Sequence, residues 1–255
     1  MGVATALITG ASSGLGAEYA RQLAARGADV VLVARDWEAL EALAATLRRA
    51  HGVGVEVIVA DLLDGAQLDR VVTRVSDRAH PVDVLVNNAG IGLPLDFERN
   101  DIEVEVRHLR LHDEVPMRLI HAALGPMLER GRGRILNVAS IAAFMPRSTY
   151  GAAKGWLVSF SRWADVVYAP RGVSVTAVCA GFVHTNFHAR LGLPPGEEGI
   201  PGWLWLDAPT VVSASLRDLA RGRSVSIPSL QYKVLARLIP LLPDRLTASI
   251  GRRGR

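Results

Sequence analysis

The sequence predicts an α/β fold built on one parallel sheet with helices on both faces, and three observations carry that expectation. Short β-branched runs alternate with helical stretches from the N-terminus onward. Runs such as Val30 to Val33 are continuously apolar, as strands covered on both faces have to be. A glycine-rich turn, Thr9-Gly10-Ala11-Ser12-Ser13-Gly14-Leu15-Gly16, joins the first strand to the first helix. A length of 255 residues suits a single domain spanning 1–255, and no repeat or linker argues for a second.

The elements follow in order. Val3 to Thr9 is a strand and Leu15 to Arg26 a helix; Asp29 to Ala34 and Asp36 to Ala50 repeat the pair, as do Val53 to Ala60 and Ala66 to Ala79. Val82 to Asn87 is the fourth strand, and Asp101 to Arg130 reads as one long helix. Gly133 to Ala139 is a strand, Thr149 to Tyr168 a helix, Val173 to Cys179 a sixth strand, and Ser224 to Ile227 a short seventh. Between them, residues 186–207 break the pattern with Pro194, Pro195, Gly196, Gly199, Pro201 and Gly202 ahead of Trp203-Leu204-Trp205-Leu206. That segment reads either as a surface loop pinned by two core tryptophans or as a lid, the latter because it follows the C-terminal end of a strand, where open α/β sheets bind ligands. A helical extension is expected over about 229–250, its apolar face interrupted by Pro240 and Pro243. Core packing, dimer burial, and contact with a membrane surface or lipid-like substrate all remain open for it.

Composition narrows the function classes. With 49% hydrophobic and 21% charged residues the chain can bury a large core and is not disordered. The net charge of +4 is spread along the chain apart from Arg252, Arg253 and Arg255, a poor match to a nucleic-acid binder. No apolar run approaches the roughly 18 residues of a membrane span, and a strand occupies the place of a signal peptide, so a cytoplasmic protein is expected. The single Cys179, at the edge of an apolar run, reads as a buried structural thiol. The pairs His108/His112 and His184/His188 have helix-compatible spacing for a metal but lack a third ligand of clear type, so none is expected. Only Lys154 and Lys233 are lysines; the other 27 basic residues are arginines, so a lysine needs a reason.

The turn from Gly10 to Gly16 suits a diphosphate: glycines permit close approach, and the amides and positive end of the following helix stabilise an anion. Its spacing is Gly-x-x-x-Gly-x-Gly, so a bare strand-to-helix turn is the alternative. Arg35, after the second strand, stands where an adenosine ribose lies in a dinucleotide fold. A guanidinium there suits a 2′-phosphate, favouring NADP(H) over NAD(H), unless Asp36 draws it into a surface pair. Asp61-Leu62, at the end of the third strand, can approach adenine, and Asn87-Asn88-Ala89-Gly90, at the end of the fourth, offers small residues and amides near a cofactor, with turn chemistry as the alternative for each. Tyr150 and Lys154 share one face of a helix, where an ammonium favours tyrosinate and prepares a general acid or base. Ser140, at the end of the fifth strand, can hold a substrate oxygen or serve as a strand-end turn residue.

Taken together, Thr9 to Gly16, Asp61-Leu62, Asn87 to Gly90, Ser140 and Tyr150-x-x-x-Lys154 resemble the short-chain dehydrogenase/reductase family in order and approximate spacing, over at least Val3 to Thr185. The resemblance implies a single-domain, Rossmann-like doubly wound parallel sheet of about seven strands in three α/β/α layers, NAD(P) dependence, and a homodimer or homotetramer. It implies Tyr150 as acid/base, Lys154 as ligand of the nicotinamide ribose and Ser140 as orienter of the carbonyl. Gly10, Ser12, Ser13, Gly14, Leu15 and Gly16 surround the diphosphate in that scheme; Asn88, Ala89, Gly90, Gly181, Val183 and Thr185 lie farther along the cofactor. Three departures stand out. His112 takes the place of the family's catalytic asparagine, where an imidazole can relay protons; Ser140 and Tyr150 are only ten residues apart; and Ala180-Gly181 replaces Pro-Gly.

Phe144, Phe187, Trp203 and Trp205 are candidates to line an apolar substrate pocket. The function expected is an NADP(H)-dependent interconversion of a hydrophobic ketone or aldehyde with its alcohol, the aromatic residues suggesting a bulky substrate, with Tyr150 moving the proton. The alternatives are a non-redox cyclase, dehydratase or isomerase on the same scaffold, motivated by His112 and Ala180, and a nucleotide-binding sensor.

Overall fold

The computed structural model describes residues 4–93, 96–145, 148–185, 201–241 and 243. Seven strands among them, β1 Thr5–Thr9, β2 Asp29–Ala34, β3 Val55–Val59, β4 Val84–Asn87, β5 Gly133–Val138, β6 Val173–Val178 and β7 Val225–Ser226, form one sheet in the order 3-2-1-4-5-6-7. Every pairing is parallel. The α-helices among the described residues are α1 Gly14–Ala24, α2 Trp37–His51, α3 Gly65–Ser76, α4 Ile102–Leu109, α5 Val115–Glu129, α6 Thr149–Tyr168, α7 Ala208–Ala220 and α8 Leu230–Leu238.

The period of two along each strand sorts the core into two layers. Ala6 and Ile8 of β1, Val30 and Leu32 of β2, Val86 of β4 and Leu136 of β5 meet Tyr19 and Leu23 of α1, Leu40 and Leu47 of α2 and Val212 and Leu216 of α7. Their neighbours Leu7, Val31, Val33, Leu85 and Ile135 face Leu68 and Val71 of α3, Leu119 and Ile120 of α5 and Ala164 of α6. Both faces are therefore dry, which is why these strands show no polar alternation. The outer edge of the sheet is guarded: Arg48 and Arg70 donate to the β3 carbonyls of Val55 and Val59, which blunts pairing with another strand.

Element boundaries follow local chemistry. Asp36, Asp64, Asp101 and Ser148 cap α2, α3, α4 and α6 through side-chain oxygens, and Gly52 ends α2 at a φ of +65°. One expectation fails. The stretch 101–130 is not one regular helix, because Arg110–Glu114 is π-helical between α4 and α5. Pro116 supplies the reason, since it has no amide to donate back to residue 112 and its ring would strike that carbonyl in an unbroken α-helix. β5 also stops at Val138, so Ser140 lies two residues past the strand.

The order 3-2-1-4 makes the chain cross from one side of β1 to the other. Connections after β1 and β4 then leave in opposite directions and open a crevice at the C-terminal ends of those strands. The residues singled out in the sequence lie around that end of the sheet.

Candidate active site

The first wall of the crevice is the turn between β1 and α1. Gly10 has a φ of +67°, and a Cβ there would lie 2.9 Å from Ala89 Cα. A Cβ on Gly16 would overlap the carbonyl oxygen of Gly10 and the amide of Asn88. Both positions thus need glycine for the two turns to touch. The contact is fastened by hydrogen bonds: Thr9 Oγ1 accepts from the backbone amides of Asn88 (3.0 Å) and Ala89 (3.1 Å), and Asn88 Nδ2 donates to the carbonyls of Thr9 and Gly10. Asn88 is thus a brace for the cradle. Ser13, at the N-cap of α1, makes no side-chain capping bond, whereas Asp36, Asp64 and Asp101 cap α2, α3 and α4, and no acidic residue stands in the first turn of α1. The positive end of α1 is left for an anion, and Gly14 faces Thr185 across it at 3.4 Å from a notional Cβ.

Arg35 is exposed at the end of β2, and among the described residues no ion pair engages it. Asp36 instead caps α2 through Ala39 N at 3.0 Å, so the surface pairing considered for these two residues does not form. Asp61 closes a turn by accepting from Leu63 N, and Leu62 is buried in the second core layer. The crossing backbones and the N-terminus of α1 fit a dinucleotide.

The second wall comes from β5 and α6. Ser140 is extended, and its Oγ accepts from Ala142 N at 3.2 Å, capping a 3₁₀ turn over Ile141–Phe144 and leaving its hydroxyl proton to point elsewhere. Lys154 is buried, with Nζ donating to Val138 O at 2.7 Å and lying 5.6 Å from the centre of the Tyr150 ring. Burial pulls its ammonium down to about 7, with Asp113 and Cys179 acting in the opposite direction. A buried polar chain anchors this helix to the sheet: Asn87 Nδ2 donates to Asn137 Oδ1 (2.8 Å), Asn137 Nδ2 to Ser161 Oγ (2.9 Å), and Ser161 Oγ to Leu157 O (2.7 Å). Cys179 is a buried free thiol as expected, pushed up to about 12 by burial.

The third wall is α4 with its π-helical extension. His112 is fully buried; its Nε2 lies 2.8 Å from Ile91 O and 3.1 Å from Ile91 N, and its ring meets that of Tyr150 edge-on at 5.6 Å. Burial, and the charge of Lys154, hold its pKa well below the ordinary value, so the ring is neutral. A Cβ on Gly90 would come within 2.6 Å of this ring, so the glycine makes room for the histidine. His108, also buried, lies 4.3 Å from the His112 ring and 5.8 Å from Tyr150, with its pKa brought to about 4 chiefly by burial. One turn earlier the buried Glu105 accepts from Thr149 Oγ1 and from Asn100 Nδ2, each at 2.7 Å. Glu105 therefore ties α4 to the residue immediately before Tyr150.

Glu105 and Thr149 were not among the sequence candidates, and His108 entered only as half of a metal-spaced pair. A lone acidic residue on a helix carries no local sign that its partner lies 44 residues away. The last side is formed after β6. Val183 bridges Leu206, and Tyr232 of α8 receives Phe182 N (3.1 Å) and donates to Leu204 O (2.7 Å). Gly181 lies directly under the Tyr232 ring, which accounts for the absence of a side chain there. Trp205 stacks on His184 at 4.7 Å, and Phe144 is partly buried against Ile141 and Tyr232. Trp203 is not buried: it is 64% exposed, which overturns the reading of two core tryptophans. Phe187, His188 and residues 186–200 of the expected lid lie outside the described residues, as do 242 and 244–250 of the C-terminal extension.

Comparison with known proteins agrees with this geometry. The family model described as short chain dehydrogenase matches residues 4–194. A ketoacyl reductase of Nostoc is 35% identical over 187 residues, covering 70% of this chain and 63% of that one. A short-chain dehydrogenase from Sphingobium yanoikuyae, solved in complex with NADPH, superposes with a TM-score of 0.85 at 35% identity, over 92% of this chain and 93% of its own. The bulky-bulky ketone specific alcohol dehydrogenase from Comamonas testosteroni gives a TM-score of 0.81 at 31% identity, over 93% and 92%.

Proposed function

The chain belongs to the short-chain dehydrogenase/reductase family of NAD(P)-dependent oxidoreductases, and from that premise we propose that it interconverts a hydrophobic ketone or aldehyde and its alcohol with NADP(H), using Tyr150 as general acid/base. The observation that carries the proposal is the buried Lys154 beside Tyr150, one of two lysines in a chain with 27 arginines. An ammonium is not placed in a dry interior without a task.

The cofactor, when bound, supplies the hydride in reduction and takes it in oxidation. Gly10, Ser12, Ser13, Gly14, Leu15 and Gly16 would hold its diphosphate, Arg35 its 2′-phosphate, and Asn88, Ala89, Gly90, Val183 and Thr185 its nicotinamide half. In reduction the Tyr150 hydroxyl gives its proton to the substrate oxygen, and the oxygen left on the ring is stabilised by the Lys154 ammonium. In oxidation the proton returns to Tyr150. Ser140, with a lone pair committed to Ala142 N, donates its hydroxyl proton to the same substrate oxygen and orients it. His112 holds the wall of the site through Ile91 as a neutral ring.

Phe144 and Trp205 support an apolar substrate, as does the bulky ketone named for the Comamonas relative. Assembly as a homodimer or homotetramer is supported by the exposed Ile102, Val106, Leu109 and Met117 of α4 and α5 and Trp163 and Val166 of α6. The test follows absorbance of NADPH, with NADH in parallel, over a panel of hydrophobic ketones. Oxidation that disappears in Tyr150→Phe while NADPH still binds is the expected result; equal rates in wild type and Tyr150→Phe would overturn the assignment.

A further inference from the structure

On α8 the residues Leu230, Val234 and Leu238 succeed one another at four-residue intervals and are 76%, 48% and 51% exposed, and Leu241, in the 3₁₀ turn that follows, is 79% exposed. The three on α8 form one stripe, because positions four apart share a helix face. The opposite face, Tyr232 and Ala236, is buried. Lys233 and Arg237, both exposed, are one turn apart along the flank of the stripe. Beside the start of the helix, Gln231 Nε2 donates to the Trp203 carbonyl at 3.3 Å, which ties the backbone of the exposed Trp203 to the first turn of α8.

The charge of the chain is distributed unevenly around this feature. Residues 229–255 contain six basic residues and one acidic residue, whereas the preceding 228 contain 23 basic and 24 acidic. The whole positive excess therefore lies on α8 and in the sequence following it. Like-charged segments repel, so pairing α8 with the same helix of a second copy would bring two of these concentrations together. An anionic surface complements them.

We propose that α8, with Trp203, docks the enzyme onto an anionic lipid surface, the apolar stripe entering the interface and Lys233 and Arg237 meeting the headgroups. The composition is that of an interfacial helix: leucine and tryptophan on one side, cations beside them. Its mounting is rigid, because Tyr232 is bonded to both Phe182 and Leu204, so the stripe is presented by the folded enzyme without unfolding. None of the described helices is long and apolar enough to cross a membrane, so the contact is peripheral.

The experiment is flotation of the full chain with vesicles of phosphatidylcholine alone and with roughly one third phosphatidylserine, at low salt and at about 0.5 M salt. Partition to the anionic vesicles that weakens in salt is expected, with a loss of about tenfold or more in Lys233→Glu/Arg237→Glu and in Val234→Asp/Leu238→Asp. These positions are exposed and away from Tyr150 and the cradle, so ketone reduction and thermal stability should be unchanged and report that the variants fold. Failure of the wild type to float with anionic vesicles overturns the proposal, as does equal flotation of the variants. A fall in solution mass in Val234→Asp/Leu238→Asp would also overturn it, assigning the stripe to a second copy.

Discussion

Replacing Lys154 with methionine should stabilise the protein at acidic pH while abolishing its chemistry. The side chain is buried, and its Nζ donates to Val138 O at 2.7 Å. Burial brings its ammonium from the ordinary 10.5 to about 7. At about 1.4 kcal/mol per pH unit, that displacement bounds the penalty of holding the charged form in the fold at about 5 kcal/mol. The penalty is present in full below pH 7. It shrinks between 7 and 10.5, where the unfolded chain keeps the proton and the folded one has lost it, and it is gone above 10.5. Methionine fills a similar volume but leaves the Val138 carbonyl without this donor, a loss of about 1–3 kcal/mol. The net gain at pH 6 is therefore about 2–4 kcal/mol, or about 4–16 °C in Tm for a domain of this size. Near pH 10.5 only the lost hydrogen bond remains and the variant becomes the less stable protein. Thermal unfolding of both proteins, cofactor-free because a bound ligand would add its own stabilisation, at pH 6, 8 and 10 measures the difference. A difference that does not change with pH, or a variant less stable at pH 6, would refute the reasoning.

Three further outcomes follow from the walls of the site. Thr149→Val breaks the bond to the buried Glu105 just ahead of Tyr150, so kcat should fall about tenfold with NADPH affinity kept within about twofold, and Thr149→Ser should restore it; equal loss in both variants would make the hydroxyl irrelevant. His112→Asn should keep activity within about tenfold and leave the pH profile above 6 unmoved, because the imidazole is already neutral there; a displaced acid limb would show that it titrates. Arg35→Ala should lower the ratio of kcat/KM for NADPH over NADH by at least about tenfold, and an unchanged ratio removes Arg35 from the 2′-phosphate.

The parts of this molecule legible in its sequence are those whose cause is local. Strand runs such as Val30 to Val33 are dry on both faces and so read continuously; Tyr150 and Lys154 are one helical turn apart; the glycines of the cradle are next to the helix they serve. The supports of the site were not legible, because each joins residues that only the tertiary fold brings together. Asn87 reaches Asn137 across 50 residues and Asn137 reaches Ser161 across 24, and nothing in the local pattern of any one of them marks it as part of a chain. The π-helical turn at Arg110–Glu114 had a local pointer in Pro116, but not a sufficient one, since Pro126 sits inside α5 without such a turn.

His112 shows how a departure from a family pattern can be absorbed by its neighbours. The resemblance placed an unexpected side chain at a catalytic position and put a proton relay in doubt. The structure places its Nε2 against the backbone of Ile91, at the turn that also braces the cofactor cradle through Asn88. The ring fits because Gly90 has no Cβ to meet it and because the π-helical widening sets it at the crevice wall. The turn, the glycine and the widened helix are one arrangement, so their substitutions should not be independent. Gly90→Ala in the wild type drives a methyl into the imidazole and should cost about 1–3 kcal/mol, whereas in a His112→Asn background the smaller amide should relieve most of that cost. A double-mutant cycle on Tm measures the coupling. Additive effects would mean that Gly90 answers to the cofactor alone and not to the histidine.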